Sequence, residues 1–297
     1  MRDFDYAAPE SVQQAVQLLS QANGSGRPLA GGTDLIDQVR MRRHEPDLIV
    51  DIKRIPELNV LEIGADGFRL GAAVPCWKIT SNEDISRQYT ALGDSCSIIG
   101  GVQIQNRASV GGNLCNSGPA ADSIPSLIAL EAVCVIMGPD GQREVPVAEF
   151  CTGPSTNVLK PGELLVELRF PPRPAHSGSH YRRFIPRNEM DIAVVGVGVS
   201  VVLDESGENF VSGRISLGAV AAKPLFAEEA SSLLAGRPVN DETLAAAAAA
   251  ARAIATPIDD MRGTVEFRQH VTGVLTERVL QRAIERARSG EPGSLHP

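Results

Sequence analysis

The sequence predicts an α+β protein: a two-part α/β domain over about residues 1–173, then a smaller α+β domain over about residues 180–290. Three observations carry that expectation. Residues 1–55 alternate short apolar runs with helical spacing, and residues 60–170 add strands of period two. Residues 171–180 then crowd three prolines, a glycine and two serines into ten positions, which marks the boundary. A chain of 297 residues has room for about two domains of ~100–200 residues each.

In the first sub-unit, about 1–55, Val12, Ala15, Val16 and Leu19 share one helical face just after Pro9. Gly24, Ser25 and Gly26 stop that helix. Residues 28–30 read as a short buried strand running into Gly31 and Gly32, Leu35, Ile36 and Val39 as the next helix, and residues 48–52 as a second buried strand. The order is β-α-β-α-β, with the first glycine pair between a strand end and a helix.

The second sub-unit, about 56–173, opens on a hairpin whose turn is Ala65-Asp66-Gly67. Helices over 81–89 and 91–99 lead into a small, polar stretch at 106–122. A helix carrying Ile124, Leu127, Ile128 and Leu130 follows, with Asp122 near its start. Strands at 133–137 and 163–170 flank a turn at 138–141. Beyond the boundary, 192–203 and 210–220 read as a strand pair around the turn 205–209. Asp241 and Glu242 open an alanine-rich helix through Ala255. The last helix, 264–288, has Val265, Phe267, Val271, Leu275, Val279, Leu280 and Ile284 on its apolar face.

Composition excludes several functions. Thirty-six acidic against 28 basic residues give a net charge of −8, with no run of like charge to bind nucleic acid. No apolar run approaches the ~18 residues of a membrane span, and the N-terminal segment lacks a signal core, so a cytoplasmic protein is expected. Cys76, Cys96, Cys115, Cys134 and Cys151 lie 17 to 20 residues apart, without the close pairs of zinc or iron–sulfur sites. No metal is therefore expected on this chain. There is no G-x-S-x-G and no H-E-x-x-H, and His44, His176, His180, His270 and His296 stand in polar or linker contexts that read as surface. Ligand loops without an evident acid, base or nucleophile fit a protein whose cofactor carries the chemistry.

The ligand loops are two. Arg27-Pro28-Leu29-Ala30-Gly31-Gly32-Thr33-Asp34 runs from an apolar step through two glycines to a hydroxyl and a carboxylate. Eighty residues on, Ala108-Ser109-Val110-Gly111-Gly112-Asn113 repeats the pattern. Gly111 and Gly112 are expected to take positive φ and turn successive N–H groups toward an anion such as a diphosphate. Neither pair fits G-x-G-x-x-G or a P-loop. Two backbone-donor loops suit a long ligand with a diphosphate in its middle, which a dinucleotide is.

These motifs resemble those of the FAD-binding medium subunit of the molybdenum hydroxylases, the family of xanthine dehydrogenase, carbon monoxide dehydrogenase and bacterial aromatic or N-heterocycle hydroxylases. The family's A-G-G-[TH]-[DS]-L stands here as residues 30–35, its [TS]-[IV]-G-G-N as 109–113, and its S-P-x-[AS]-D-x-x-P as 118–125. Its Y-x-K-x-x-x-R-x-x-x-D-x-A is matched by Tyr181, Arg183, Arg187, Asp191 and Ala193, with Arg183 in place of the frequent Lys. The resemblance implies an FAD-binding domain of the vanillyl-alcohol-oxidase/PCMH type and the family's C-terminal domain. It implies that residues 27–34 and 108–113 hold the diphosphate and ribityl portions, that Asp122, Leu165 and Arg183 contact the cofactor, and that Ile192 lies near the isoalloxazine. Ile99 stands where the xanthine dehydrogenase branch has an aromatic.

The implied partners are a small subunit with two [2Fe-2S] clusters and a large molybdopterin subunit, assembled as a dimer of heterotrimers that delivers electrons to an external acceptor. The alternative is a self-sufficient flavin oxidase of the vanillyl-alcohol type. Such oxidases share the FAD clasp but usually carry a larger substrate domain and a His or Cys attached to the flavin. Here the C-terminal part is short and no His is expected near either glycine loop.

Overall fold

The structure is a computed structural model that describes residues 2–187 and 189–290. The first sub-unit runs β1 (Asp5–Ala7), α1 (Val12–Gln21), β2 (Gly26–Leu29), α2 (Leu35–Arg40) and β3 (Leu48–Asp51). Its three strands are parallel in the order β1-β3-β2. Ser11 caps α1 by accepting the Gln14 N–H, and the helix buries the expected face of Val12, Ala15, Val16 and Leu19. That face packs not only on Val50, Ile52 and Ile55 but also on Ala73, Leu164 and Val166 of the next sub-unit. The small sheet therefore closes its core only against its neighbour.

The second sub-unit begins with the hairpin of β4 (Leu61–Gly64) and β5 (Gly67–Gly71), then five helices: α3 (Cys76–Thr80), α4 (Glu83–Gln88), α5 (Thr90–Ser97), α6 (Val102–Gln105) and α7 (Val110–Asn116). After α8 (Ser123–Ala129) come β6 (Val133–Gly138), β7 (Gly141–Pro146), α9 (Val147–Phe150), β8 (Cys151–Gly153), β9 (Thr156–Asn157) and β10 (Leu164–Phe170). The sheet order is β4-β5-β10-β6-β7, antiparallel throughout. β10 is central and buried at every position but Arg169, which explains its nearly unbroken apolar sequence. Phe68, Tyr89 and Phe170 meet at ring-centroid distances of 5.1–5.6 Å where helices cover the sheet.

The C-terminal part is the antiparallel sheet β11 (Ser177–Phe184), β12 (Val195–Leu203), β13 (Phe210–Gly218) and β14 (Leu225–Phe226), with strands in sequence order. α10 (Glu228–Ser232), α11 (Asp241–Ala253) and α12 (Val265–Ser289) follow. Val195, Val197, Val199 and Val201 share one core with Val279, Leu280, Ala283 and Ile284 of α12. Two sequence expectations shift. The Pro-rich boundary already enters β11 at Ser177, because its last residues pair with β12. The strand expected from residue 192 starts at Val195, after the chain has closed a loop with the Val194 N–H donating to Phe184 O at 2.9 Å.

Candidate functional site

Both glycine loops open on one cleft of about 970 Å³ between the first and second sub-units. The first loop leaves β2 and crosses to α2. Gly32 has φ +78°, a conformation that favours glycine. At Gly31 a Cβ would stand 2.1 Å from the carbonyl oxygen of Arg107, and the Arg107 Nε–H donates to Gly31 O at 3.3 Å. The two loops are thus interlocked backbone to backbone.

The second loop corrects an expectation. Gly111 and Gly112 do not take positive φ; they form the first turn of α7, whose N-cap Ser109 accepts the Gly112 N–H through Oγ at 3.1 Å. The two glycines answer different needs. A Cβ at Gly111 would lie 2.5 Å from Ala72 O, whereas one at Gly112 would meet only Ser109 Oγ, at 3.1 Å. Gly111 permits close packing, and Gly112 leaves the helix start bare toward the cleft.

Arg27, Ala30, Gly31, Gly32, Thr33, Asp34, Ile99, Ala108, Ser109, Gly111, Gly112, Asn113 and Leu165 all line the cleft. Leu29 and Val110 do not: the Leu29 side chain packs behind Gly32, and Val110 is buried in the core. Asp122, Arg183 and Ile192 also stand outside the lining. Asp122 and Arg183 form a buried ion pair at 2.5 Å, and Ile192 is 53% exposed on the loop between β11 and β12.

The cleft holds residues that the sequence pattern did not single out. Gln38, Arg43 and His44 come from α2 and the turn after it, and Asn116 from α7; the Gln38 amide donates to Asn116 Oδ1 at 2.9 Å. Ser155, Thr156, Asn157 and Lys160 close the far wall, with the Asn157 amide donating to Cys115 O at 2.8 Å. The hydroxyl and amide run Ser155-Thr156-Asn157 is the one signal that could have found that wall. His44, read as surface and as remote from the glycine loops, lies in the cleft that both loops line, where burial and the neighbouring Arg27 hold its pKa below the usual value. His180, also read as surface, is half-buried against Asp94 and Arg286.

The chemistry of the lining is that of a binding site. Arg27, Arg43 and Lys160 offer positive charge, and hydroxyls and amides supply neutral donors and acceptors. Burial raises the pKa of Asp34, helped by Asp37, while Glu163 is occupied by Arg143 at 2.7 Å. Cys115 sits in the lining with its thiol pushed up to about 12 by burial and by Cys151, so it stays a neutral thiol. Among the described residues no group of three or more His, Cys, Asp and Glu side chains could hold a metal ion. An FAD fits these features. The cleft volume is at the upper end of the ~300–1,000 Å³ usual for cofactor pockets. Its polar centre is a bare helix start beside a second backbone loop, as a diphosphate requires, and Ile99, Ile104 and Leu165 add apolar wall for ring surfaces.

Comparison with known proteins agrees with this geometry. The family described as "FAD binding domain in molybdopterin dehydrogenase" matches residues 2–173, and "CO dehydrogenase flavoprotein C-terminal domain" matches residues 180–283. The chain is 33% identical to the carbon monoxide dehydrogenase medium chain of Hydrogenophaga pseudoflava, covering 94% of this chain and 96% of that one. It is 32% identical to the xanthine dehydrogenase FAD-binding subunit of Escherichia coli O157:H7, covering 96% and 98%. Its fold superposes on a solved carbon monoxide dehydrogenase from Hydrogenophaga pseudoflava lacking the Mo-pyranopterin moiety, with TM-score 0.91 over 96% of this chain and 98% of that one at 33% identity. With its interlocked glycine loops, its C-terminal sheet and these full-length likenesses, the chain belongs to the family of FAD-binding medium subunits of the molybdopterin-dependent dehydrogenases.

Proposed function

We propose that this chain is the electron-transfer station of a three-subunit dehydrogenase. In this reading a small subunit with two [2Fe-2S] clusters passes electrons to FAD on this chain, and an external acceptor takes them away. A large molybdopterin subunit oxidises the substrate, and two such trimers pair in the cytoplasm. The observation that carries the reading is the meeting of two separate glycine loops at one cleft, Gly31 against the Arg107 backbone, in a chain whose cleft offers binding groups and whose cleft cysteine, Cys115, is held as a neutral thiol. The relatives named for carbon monoxide and for xanthine match this chain equally well along nearly its whole length, which supports placing substrate choice on another subunit.

FAD, when bound, supplies the one- and two-electron redox chemistry of its isoalloxazine ring. The chain's own residues hold it. Residues 27–34 and 108–113 cradle the diphosphate and ribityl portions with backbone N–H groups and the Thr33, Ser109 and Asn113 side chains. Ile99 and Leu165 supply apolar wall, Asp122 and Arg183 brace the cleft from the C-terminal side, and Ile192, by its match to the family motif, comes near the isoalloxazine. Residues 1–173 act as the FAD-binding domain and 180–290 as the domain that supports it. Co-purification from the native source tests the assignment. Recovery with an iron–sulfur and a molybdenum subunit supports it; substrate turnover by this chain alone with oxygen or NAD⁺ would replace it with a free-standing flavin oxidase.

A further inference from the structure

The C-terminal sheet meets the flavin-binding part across a face of small residues. The run Val195-Gly196-Val197-Gly198-Val199 of β12 sends its valines into the core under α12 and leaves its glycines on the opposite face. A Cβ at Gly198 would stand 2.6 Å from the carbonyl oxygen of Pro125 on α8, and one at Gly196 would stand 2.7 Å from the Tyr181 hydroxyl. Tyr181 lies opposite Gly198 on β11, is 3% exposed, and passes its ring against Gly196 to reach Asp122. Its hydroxyl donates to Asp122 Oδ1 at 2.8 Å, and the Arg183 Nη1 donates to Oδ2 at 2.5 Å. The next residue, Ser123, donates from Oγ to Asn113 Oδ1 at 2.6 Å, and Asn113 lines the cleft. A phenylalanine would fill the same volume, so the hydroxyl is what the contact with Asp122 requires.

We propose that Tyr181 is a positioning residue for the flavin cleft: it holds the Asp122 carboxylate against Arg183, so that the C-terminal domain sets both the charge and the Asn113 orientation beside the second glycine loop. The proposal rests on the reading of the cleft as the FAD site. Burial lifts the Asp122 pKa to about 6, against the pull of Arg183 and of the Tyr181 hydroxyl. Among the described residues the charged and titratable groups that act on it are those two, both from β11; Asn113 of α7, bonded to the adjacent Ser123, is neutral. A hydroxyl that donates to the charged form lowers the pKa, so its loss raises the midpoint by about one unit.

The test uses the FAD-loaded full chain and follows the flavin absorption and fluorescence between pH 5 and 8. Wild type should show a step near pH 6, Asp122→Asn none, and Tyr181→Phe the same step moved up by about one unit with about one FAD per chain retained. A wild-type profile without a step, or a step that Tyr181→Phe leaves in place, overturns the proposal. A chain that takes up no FAD would refute the cofactor reading instead. The ¹³C shift of the Asp122 carboxyl carbon would then decide this inference, through its midpoint in wild type against Tyr181→Phe.

Discussion

Valine at Gly112 should abolish FAD binding in a chain that still folds, whereas alanine at Gly111 should destabilise the chain itself. The two positions are adjacent, yet their surroundings are opposite. A Cβ at Gly112 meets one atom, Ser109 Oγ at 3.1 Å, so the strain is limited to the cap bond, worth about 1 kcal/mol. A valine in place of glycine inside a helix recovers about 0.3 kcal/mol, which offsets part of it, so the chain still folds. The valine methyl groups project into the space where the diphosphate must approach the helix start. Losing two or more charge-assisted backbone hydrogen bonds at about 1.5–3 kcal/mol each lowers affinity at least ~100-fold.

At Gly111 the added carbon would sit 2.5–2.6 Å from the O, Cα and Cβ of Ala72. Ala72 cannot retreat freely, because its N–H donates to Val166 O of β10 at 2.9 Å. Overpacking of that kind costs about 1–3 kcal/mol or more, a fall in Tm of roughly 2–10 °C for a chain of this size. Flavin per chain after gel filtration, measured beside a thermal melt of the apoprotein, separates the two effects. Full FAD occupancy in Gly112→Val, or a wild-type Tm in Gly111→Ala, would refute the reasoning.

Other predictions follow from the same geometry. FAD should leave on denaturation, because the Cys115 thiol is held near 12 and is not the thiolate that attacks a flavin; flavin retained on the acid-precipitated chain would contradict this. Arg286→Met should destabilise the chain by about 3–5 kcal/mol, read from urea melts, because it strips a buried guanidinium from Asp94 that donates at 2.6 and 2.9 Å. Burial alone would raise the Asp94 pKa, but hydrogen bonds from His180 and Arg286 outweigh it and hold the carboxyl below its usual range. That contribution is present above the unfolded value of about 3.9 and is lost as pH falls through the lower folded value. The Arg286→Met deficit should therefore shrink in melts taken below about pH 4; a deficit constant down to pH 2 would show that the pair is not its source.

Much of the architecture was legible in the sequence, and the failures have identifiable causes. The faces of α1 and α12 follow from helical spacing, and β10 from its apolar run. The glycine loop at 27–34 is a turn because Gly32 needs its positive φ. The one at 108–113 shares that residue pattern, yet Ser109 caps a helix there and the glycines are set by Ala72 and by the cleft, neither of which is nearby in sequence. His44 and the wall at 155–160 enter the cleft only through tertiary packing, so local polarity alone pointed to surface. The alternation of valine and glycine at 195–199 showed a strand, but the reasons for its glycines, Tyr181 passing Gly196 on its way to Asp122 and the Pro125 carbonyl of α8 against Gly198, lie in other elements.

In the function proposed above, FAD sits between the two glycine loops and exchanges electrons with a partner's clusters. The most direct measurement is rapid-mixing spectroscopy of the intact complex and of this chain alone, both FAD-loaded, with the substrate of the complex as reductant. Flavin bleaching in the complex should follow reduction of the iron–sulfur absorbance, and the isolated flavoprotein should not be reduced by substrate yet be reduced by dithionite. Direct reduction of the isolated chain by substrate, or a complex in which the flavin is reduced before the clusters, would contradict it.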